Sequence, residues 1–249
     1  MTRRIVITGG GTGFGKAIAG RLLDERPDLV LVGRRVEVLD AAAAELRAAA
    51  DVDVTTYGCD LADPAVVQDL ADQLAAGPTI DVLVLNAGGN AGVGAGDGLA
   101  QFAAAWRADF DANVLTVALL AHAVRDHLTR PGARIIGMSS IAALRGSGSY
   151  GAAKAAVNAW MLDLAMQLAP DQITVNTIAP GFVPDTPFWE DRIAADPSVA
   201  RSRLATIPMG RAGTSAEVAE TVAYLAGPGG GWTTGQIIQV NGGTLLGRG

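Results

Sequence analysis

Two side chains capable of proton chemistry stand four residues apart in Tyr150-Gly-Ala-Ala-Lys154, where an apolar strand gives way to a long helical pattern. On a helix that spacing puts both on one face. A free tyrosine has a pKa of about 10, and a neighbouring ammonium would favour the phenolate and bring that value towards the working range. Ser139 and Ser140 close the strand-like run Arg134–Met138 and offer a hydroxyl beside the tyrosine. Together these groups could polarise a carbonyl and deliver a proton to it. The pair alone is weak evidence, because an aromatic and a solvated lysine often share a helix face by chance. Residue usage sharpens it: 17 arginines accompany only two lysines, Lys16 and Lys154. A lysine in so arginine-rich a chain invites a chemical reason.

The elements that must position these groups begin with the short apolar strand Arg3–Ile7, which runs into Thr8-Gly-Gly-Gly-Thr-Gly-Phe-Gly15 and then a helical pattern. Gly9, Gly13 and Gly15 are spaced Gly-x3-Gly-x-Gly, with Gly11, Thr12 and Phe14 between them. A glycine-rich turn opening a helix lets backbone approach a phosphate, with amide hydrogens and dipole aimed at it, so nucleotide binding is the better reading than a bare turn. The second strand, Leu29–Val32, ends at Gly33-Arg34-Arg35, where an NAD-binding unit usually carries an acidic residue for the ribose 2′-hydroxyl. Arg34 and Arg35 read instead as a clamp for a 2′-phosphate, favouring NADP(H) over NAD(H), although a solvated surface pair is the bland alternative.

Asp60 and Leu61 follow the third strand, and Asp63-Pro64 reads as the N-cap and first turn of the next helix. Ile80–Leu85 is a continuous apolar strand opening onto Asn86-Ala87-Gly88 and a glycine-rich loop to about Gly98. One long helical pattern then carries Leu99, Phe102, Trp106, Phe110, Val114, Val117 and Ala121 near one stripe, interrupted by Asn113. A buried asparagine is more often a satisfied structural group than a catalyst. His122 and His127 have no evident partner and read as structural. The sixth strand, Gln172–Ile178, leads into Pro180, Gly181 and Val183. The segment from Pro184 to Met209, about 184–209, is the least regular part and suits a mobile lid. Ser215 can cap a helix through Val218, Val222 and Leu225, and Gln236–Val240 is the last strand. Pocket lining is expected from Asn90–Gly98, Leu144–Gly148 and Phe182–Met209, with Phe182, Phe188 and Trp189 as an apolar wall.

Strand and helix alternate through all 249 residues without an interdomain linker, which implies an α/β fold: one domain, 1–249, with a doubly wound parallel sheet. The apolar content of 49% supports a large core. A net charge of −6 argues against non-specific nucleic-acid or anionic-membrane binding. The lone Cys59 excludes an internal disulfide and offers no metal cluster, so no metal is expected. With no apolar run of membrane-span length and a strand beginning almost at the N-terminus, the chain reads as cytoplasmic.

These landmarks, in this order, resemble the short-chain dehydrogenase/reductase family over nearly the whole chain: Thr8-Gly-x3-Gly-x-Gly15, Asp60, Asn86-Ala-Gly88, Asn113, Ser140, Tyr150-x3-Lys154 and Pro180-Gly181. The resemblance implies a seven-stranded Rossmann sheet, a nicotinamide cofactor and a Ser-Tyr-Lys-Asn site. Tyr150 would protonate the carbonyl oxygen, Ser140 hydrogen-bond it, and Lys154 lower the tyrosine pKa and hold the nicotinamide ribose. Asn113 would bind a water linking Lys154 to solvent. The backbone from Gly9 to Gly15 would approach the pyrophosphate, Asp60 with Leu61 the adenine, and Asn86, Ala87 and Gly88 the adenosine side. Pro180, Gly181, Val183 and Thr186 would border the nicotinamide. It also implies a homo-oligomer, usually a tetramer, packed through the helices carrying Asn113 and Tyr150. Ser140 precedes Tyr150 by ten positions, fewer than is usual, so either the loop is shortened or Ser139 or another loop serine acts. Asn241 stands where aspartate is frequent near the C-terminal Gly-Gly. The leading expectation is NADP(H)-dependent reduction of a ketone, or the reverse oxidation. A 3-oxoacyl-thioester reductase, an NAD-dependent sugar or secondary-alcohol dehydrogenase, and a cofactor-sensing protein without turnover are the alternatives.

Overall fold

Ile5 and Ile7 alternate along their strand with Val6, and Leu29 and Leu31 alternate with Val30 and Val32; all seven are fully buried. The two sets belong to different apolar clusters, one on each side of the sheet. Strands with no solvent face must be covered by helices on both sides. The computed structural model, which describes residues 2–92 and 98–247, has that arrangement. Its strands are β1 (Arg4–Thr8), β2 (Asp28–Gly33), β3 (Val54–Gly58), β4 (Val82–Leu85), β5 (Arg134–Met138), β6 (Thr174–Pro180) and β7 (Ile237–Val240). The first helices are α1 (Gly13–Leu22), α2 (Val36–Ala49), α3 (Pro64–Ala75), α4 (Leu99–Phe110) and α5 (Thr116–Ala123). They are followed by α6 (Ala142–Arg145), α7 (Gly148–Leu168), α8 (Pro187–Ala195), α9 (Ser198–Leu204) and α10 (Ser215–Ala226).

All strand pairs are parallel, in the order β3-β2-β1-β4-β5-β6-β7. Chain order reverses between β1 and β4, which leaves a crevice beyond their carboxyl ends, the usual ligand position in such sheets. Among the described residues, no helix is long and apolar enough to cross a membrane.

Several local expectations are corrected. The long helical pattern is not one helix: a π-helical turn at Asp111–Leu115 separates α4 from α5, with Asn113 buried inside it. Part of the α4 stripe also stays uncovered, with Leu99 88% and Phe102 59% exposed. The irregular stretch from Pro184 to Met209 contains two helices, α8 and α9. Thr214, not Ser215, caps α10. Thr214 Oγ1 accepts from Glu217 N at 3.2 Å, and the Glu217 carboxylate accepts from Thr214 N at 3.0 Å. This is a complete capping box. Ser215, one residue in, donates its hydroxyl to Asp185 at 2.9 Å and so ties α10 to the chain after β6. Asp63 caps α3 as expected, accepting from Ala65 N at 2.9 Å. The expected lining stretch Asn90–Gly98 falls partly, at 93–97, outside the described residues.

Candidate active site

One cavity of about 990 Å³ runs along the carboxyl ends of the strands. The turn after β1 brings Gly9, Gly11, Thr12, Gly13 and Phe14 to its wall. Arg34 and Arg35 follow from β2, Asp60 and Leu61 from β3, and Asn86, Ala87 and Gly88 from β4. Ser139, Ser140, Tyr150 and Lys154 form the far wall, with Pro180, Gly181 and Thr186 beside them. Gly15, Val183 and Asn113, also expected at the site, do not line the cavity. A Cβ on Gly15 would collide with the Gly9 carbonyl oxygen, so its place is close packing of the helix start on the turn. Val183 is 2% exposed and packs into the core.

The turn is held open from beneath. Thr8 Oγ1 accepts from the amides of Asn86 at 2.8 Å and Ala87 at 2.9 Å, and the Asn86 side chain donates to Thr8 O at 2.9 Å. Asn86 therefore clamps the ends of β1 and β4 together. Gly9 sits there at φ +64, and a Cβ on it would lie 2.8 Å from Asn86 Nδ2. Its missing side chain serves both conformation and clearance. Helix α1 begins with Thr12 making no side-chain cap and no acid in the first turn. Among the described residues no side chain satisfies its opening amides, which with the helix dipole suit a phosphate. Arg34 and Arg35 are exposed at the same wall, and neither has an ion-pair partner among the described residues. Lys16 in contrast is paired with Glu45 at 2.6 Å. This donor set fits an elongated ligand with anionic groups at the turn and at the arginines.

At the other end Tyr150 and Lys154 lie one turn apart near the start of α7. Lys154 is 3% exposed and donates from Nζ to the Met138 carbonyl at 2.8 Å, which fastens α7 to the end of β5. Burial lowers its pKa to about 8. The expected lowering of the tyrosine pKa by this lysine is not what the free protein has. Burial pushes Tyr150 up to about 12, against opposing pulls from the Ser140 hydroxyl and then the Arg192 charge. Desolvation outweighs these pulls because the phenolate would lose water on the cavity wall, where the Phe188 ring packs on Tyr150 with its centroid 5.6 Å away. Ser140, which accepts from Ala142 N at 3.1 Å, is the serine that lies against Tyr150. Ser139 is 5% exposed and its hydroxyl has no hydrogen-bond partner among the described residues.

Asn113 works from behind the wall. Its Nδ2 donates to Gly89 O at 2.7 Å and Asp109 O at 2.8 Å, and its Oδ1 accepts from Gly89 N at 3.1 Å. The π turn is what aims it there, a common use of such turns. A Cβ on Gly88 would lie 2.7 Å from Asn113 Oδ1 and 3.2 Å from Lys154 Nζ, so both groups converge on one backbone position. Asp109, fully buried, was not legible from any motif. Its carboxylate accepts from Ala91 N at 2.8 Å, from Gly92 N at 3.1 Å and from the Ser149 hydroxyl at 2.6 Å. It joins the loop after β4 to the residue preceding Tyr150.

Helix α8 closes the cavity over the tyrosine. Phe182, Phe188 and Trp189 form the expected apolar wall, with Trp189 edge-on to both phenylalanines at 5.0 and 5.3 Å. Asn241 organises the C-terminal turn, donating to Leu245 O at 2.9 Å and accepting from Gly243 N at 2.9 Å.

A family model described as enoyl-(acyl carrier protein) reductase matches residues 9–244. With the parallel seven-stranded sheet and the site above, this places the chain in the short-chain dehydrogenase/reductase family, and it is an oxidoreductase acting on CH–OH or C=O groups. It is 35% identical to the short-chain reductase protein NovJ of Streptomyces niveus, over 96% of this chain and 92% of that one. It is 32% identical to the rhamnolipids biosynthesis 3-oxoacyl-(acyl-carrier-protein) reductase of Pseudomonas aeruginosa, over 98% and 96% of the two chains. Among solved structures, a short-chain dehydrogenase from Burkholderia cenocepacia in complex with NADP superposes with a TM-score of 0.85. The two are 31% identical, and the match covers 98% of this chain and 97% of that one.

The buried Lys154 makes a testable mark on stability. Its pKa falls from 10.5 in the unfolded chain to about 8, so between those values the unfolded chain binds more protons and folding stability rises with pH. Tyr150 works the other way only above its ordinary value of 10. Urea unfolding from pH 8 to pH 10 is therefore expected to show a gain in the native protein that the Lys154→Met variant lacks. Parallel pH curves for the two would contradict the burial of a charged lysine.

Proposed function

We propose that the protein is an NADP(H)-dependent carbonyl reductase that converts a ketone to a secondary alcohol or runs the reverse reaction. One observation carries this reading: Ser140, Tyr150 and Lys154 share a single cavity with the glycine turn and the unpaired Arg34 and Arg35. The cofactor, when bound, supplies or accepts the hydride. The turn from Gly9 to Phe14 would hold its pyrophosphate, and Arg34 and Arg35 its 2′-phosphate. Asp60 and Leu61 would border the adenine, Asn86, Ala87 and Gly88 the adenosine side, and Pro180, Gly181 and Thr186 the nicotinamide. Gly15 would contribute only by letting α1 approach the turn, and Val183 by packing beneath it.

Tyr150 is the proton donor in this reading. With its pKa pushed up to about 12, it is fully protonated at neutral pH and suited to give a proton to an oxygen that gains negative charge. Ser140 hydrogen-bonds the same oxygen. Lys154, which keeps its charge below pH 8, steadies the developing phenolate and binds the cofactor ribose. Asn113 resupplies protons towards Lys154 through a water, supported by the meeting of both side chains at Gly88. A 3-oxoacyl thioester is the second substrate reading, favoured by the Pseudomonas relative's named activity. The apolar groups left bare on α4, α7 and nearby, among them Leu99, Phe102, Leu162 and Met166, support a homo-oligomer, dimer or tetramer, packed through these helices.

Three outcomes are expected. NADPH oxidation over a panel of ketones, 3-keto esters and 3-oxoacyl thioesters should find a substrate, and Tyr150→Phe should lower kcat/KM by about 100-fold or more. Replacing Arg34 and Arg35 by alanine should reduce the preference for NADPH over NADH by about tenfold or more, the worth of one or two charge-assisted hydrogen bonds. Equal use of both cofactors by the native protein would remove the clamp. Sedimentation velocity should find a species larger than the monomer; a monomer at micromolar concentration would remove the oligomer.

A further inference from the structure

Three guanidinium groups from three separate helices open onto the tyrosine end of the cavity: Arg145 from α6, Arg192 from α8 and Arg203 from α9. None of the three forms an ion pair, and none donates a side-chain hydrogen bond, among the described residues. Other arginines in the chain are engaged: Arg21 with Glu220 at 2.6 Å, Arg130 with Asp171 at 2.9 Å and Arg211 with Glu217 at 2.6 Å. Each of the three has a local structural role available. All lie in the last turn of their helix, where a cation complements the dipole. Arg192 also stacks on Phe188, 4.3 Å from the ring centroid, and both Arg192 and Arg203 lie 5.5 Å from the centroid of Trp189. Those roles use the faces and the charge. They do not use the N–H edges, and they do not explain why three cations converge on one opening.

The aromatic stacking fixes where the arginines stand relative to the chemistry. Phe188 touches both Tyr150 and Arg192, so Arg192 is one ring's breadth from the phenol. Burial, and then the charge of Arg203, lower the pKa of Arg145 from its ordinary value, which places those two cations within each other's field. Among the described residues, the carboxylates on the cavity wall are Asp60, Asp111 and Asp191, and none of them pairs with an arginine of this group. Mutually repelling cations beside an apolar wall are at their most favourable when an anion sits between them. Guanidinium edges suit carboxylate and phosphate oxygens in particular.

We infer that Arg145, Arg192 and Arg203 form an anion subsite for the substrate, so that the carbonyl compound taken by this enzyme carries a carboxylate or phosphate group a short span from its reacting carbon. This rests on the reductase reading and narrows it to acidic ketones and alcohols. The aliphatic part lies against Phe182, Phe188 and Trp189, and the anion lies beyond them, at the arginines.

Matched pairs of ketones test it. kcat/KM with NADPH is measured for 4-oxopentanoate against its methyl ester, and for 2-oxopropylphosphonate against its diethyl ester. The anion of at least one pair should be preferred by about tenfold or more, and the pair showing the effect identifies carboxylate or phosphate as the group held. Arg145→Gln and Arg203→Gln should each bring that ratio down severalfold, whereas Arg201→Gln, on the same helix as Arg203 but off the cavity wall, should not. Esters used as well as the acids in both pairs, or a ratio untouched by the two cavity substitutions, would overturn the inference. Titration calorimetry of 4-oxopentanoate and its methyl ester separates the two claims. If no ketone is turned over but the acid alone binds, the subsite stands and the reductase reading falls. The same titration is run with 2-oxopropylphosphonate and its diethyl ester, and if in both pairs neither compound binds, or acid and ester bind alike, the subsite falls.

Discussion

An ammonium group removed from water must be satisfied by protein, and Lys154 meets that demand with the carbonyl oxygen of Met138 at 2.8 Å. Much of the site depends on this contact. It fastens the N-terminal part of α7 to the end of β5 and so fixes Tyr150, one turn earlier, over the edge of the sheet where the cavity begins. The same desolvation moves both groups in opposite senses, the lysine down to about 8 and the tyrosine up to about 12. An acid held protonated beside a marginally charged cation suits the proposed delivery of a proton, in which the lysine would stabilise the anion left behind.

The sheet makes the second contribution. Because every strand is parallel, all the carboxyl ends emerge on one side, and the reversal at β1 and β4 leaves room there for a ligand that spans the molecule. The Thr8–Asn86 clamp joins the two strands at the point of reversal, and the glycine turn lies directly above it. In the proposed reading the cavity thus has a phosphate-binding end built from backbone and a proton-transfer end built from side chains. Asn113 and Asp109 brace the loop between them. Both hold its amides from within the π turn and α4, and Asp109 reaches on to Ser149 beside the tyrosine.

What could be read from the sequence follows the range of the interactions concerned. The strands were legible because burial on both faces leaves a continuous apolar run, as in Ile80–Leu85. The glycine turn and the Tyr150/Lys154 pair were legible because their geometry is local. Thr214 and Ser215 are adjacent and chemically alike, so choosing the cap needed the Glu217 contact and the pull of Asp185 on Ser215. The π turn left only a polar residue in an apolar stripe as its trace. Helices α8 and α9 are not legible because neither has a fully buried residue, so no apolar face repeats with the helical period. Asp109 and the arginines at positions 145, 192 and 203 share no spacing at all. Asp109 meets its loop and Ser149 only once α4 and α7 are folded, and the arginines meet only once α6, α8 and α9 surround the same opening. The sign of the tyrosine shift obeys the same rule: the helix spacing announces the lysine but not the burial against Phe188 that raises the phenol.

The claim that burial holds Tyr150 as a proton donor can be read directly, since the chain has only three tyrosines, Tyr57, Tyr150 and Tyr224. Carbon-13 labelling at the tyrosine ζ position, with Tyr150→Phe to assign the signal, follows the phenol through a pH titration of the free protein. The account predicts that the Tyr150 resonance keeps its protonated shift beyond pH 11, well past the value of about 10 for free tyrosine. A Tyr150 signal that moves to the phenolate position below pH 10 would show that the neighbouring cations outweigh desolvation, and would contradict it.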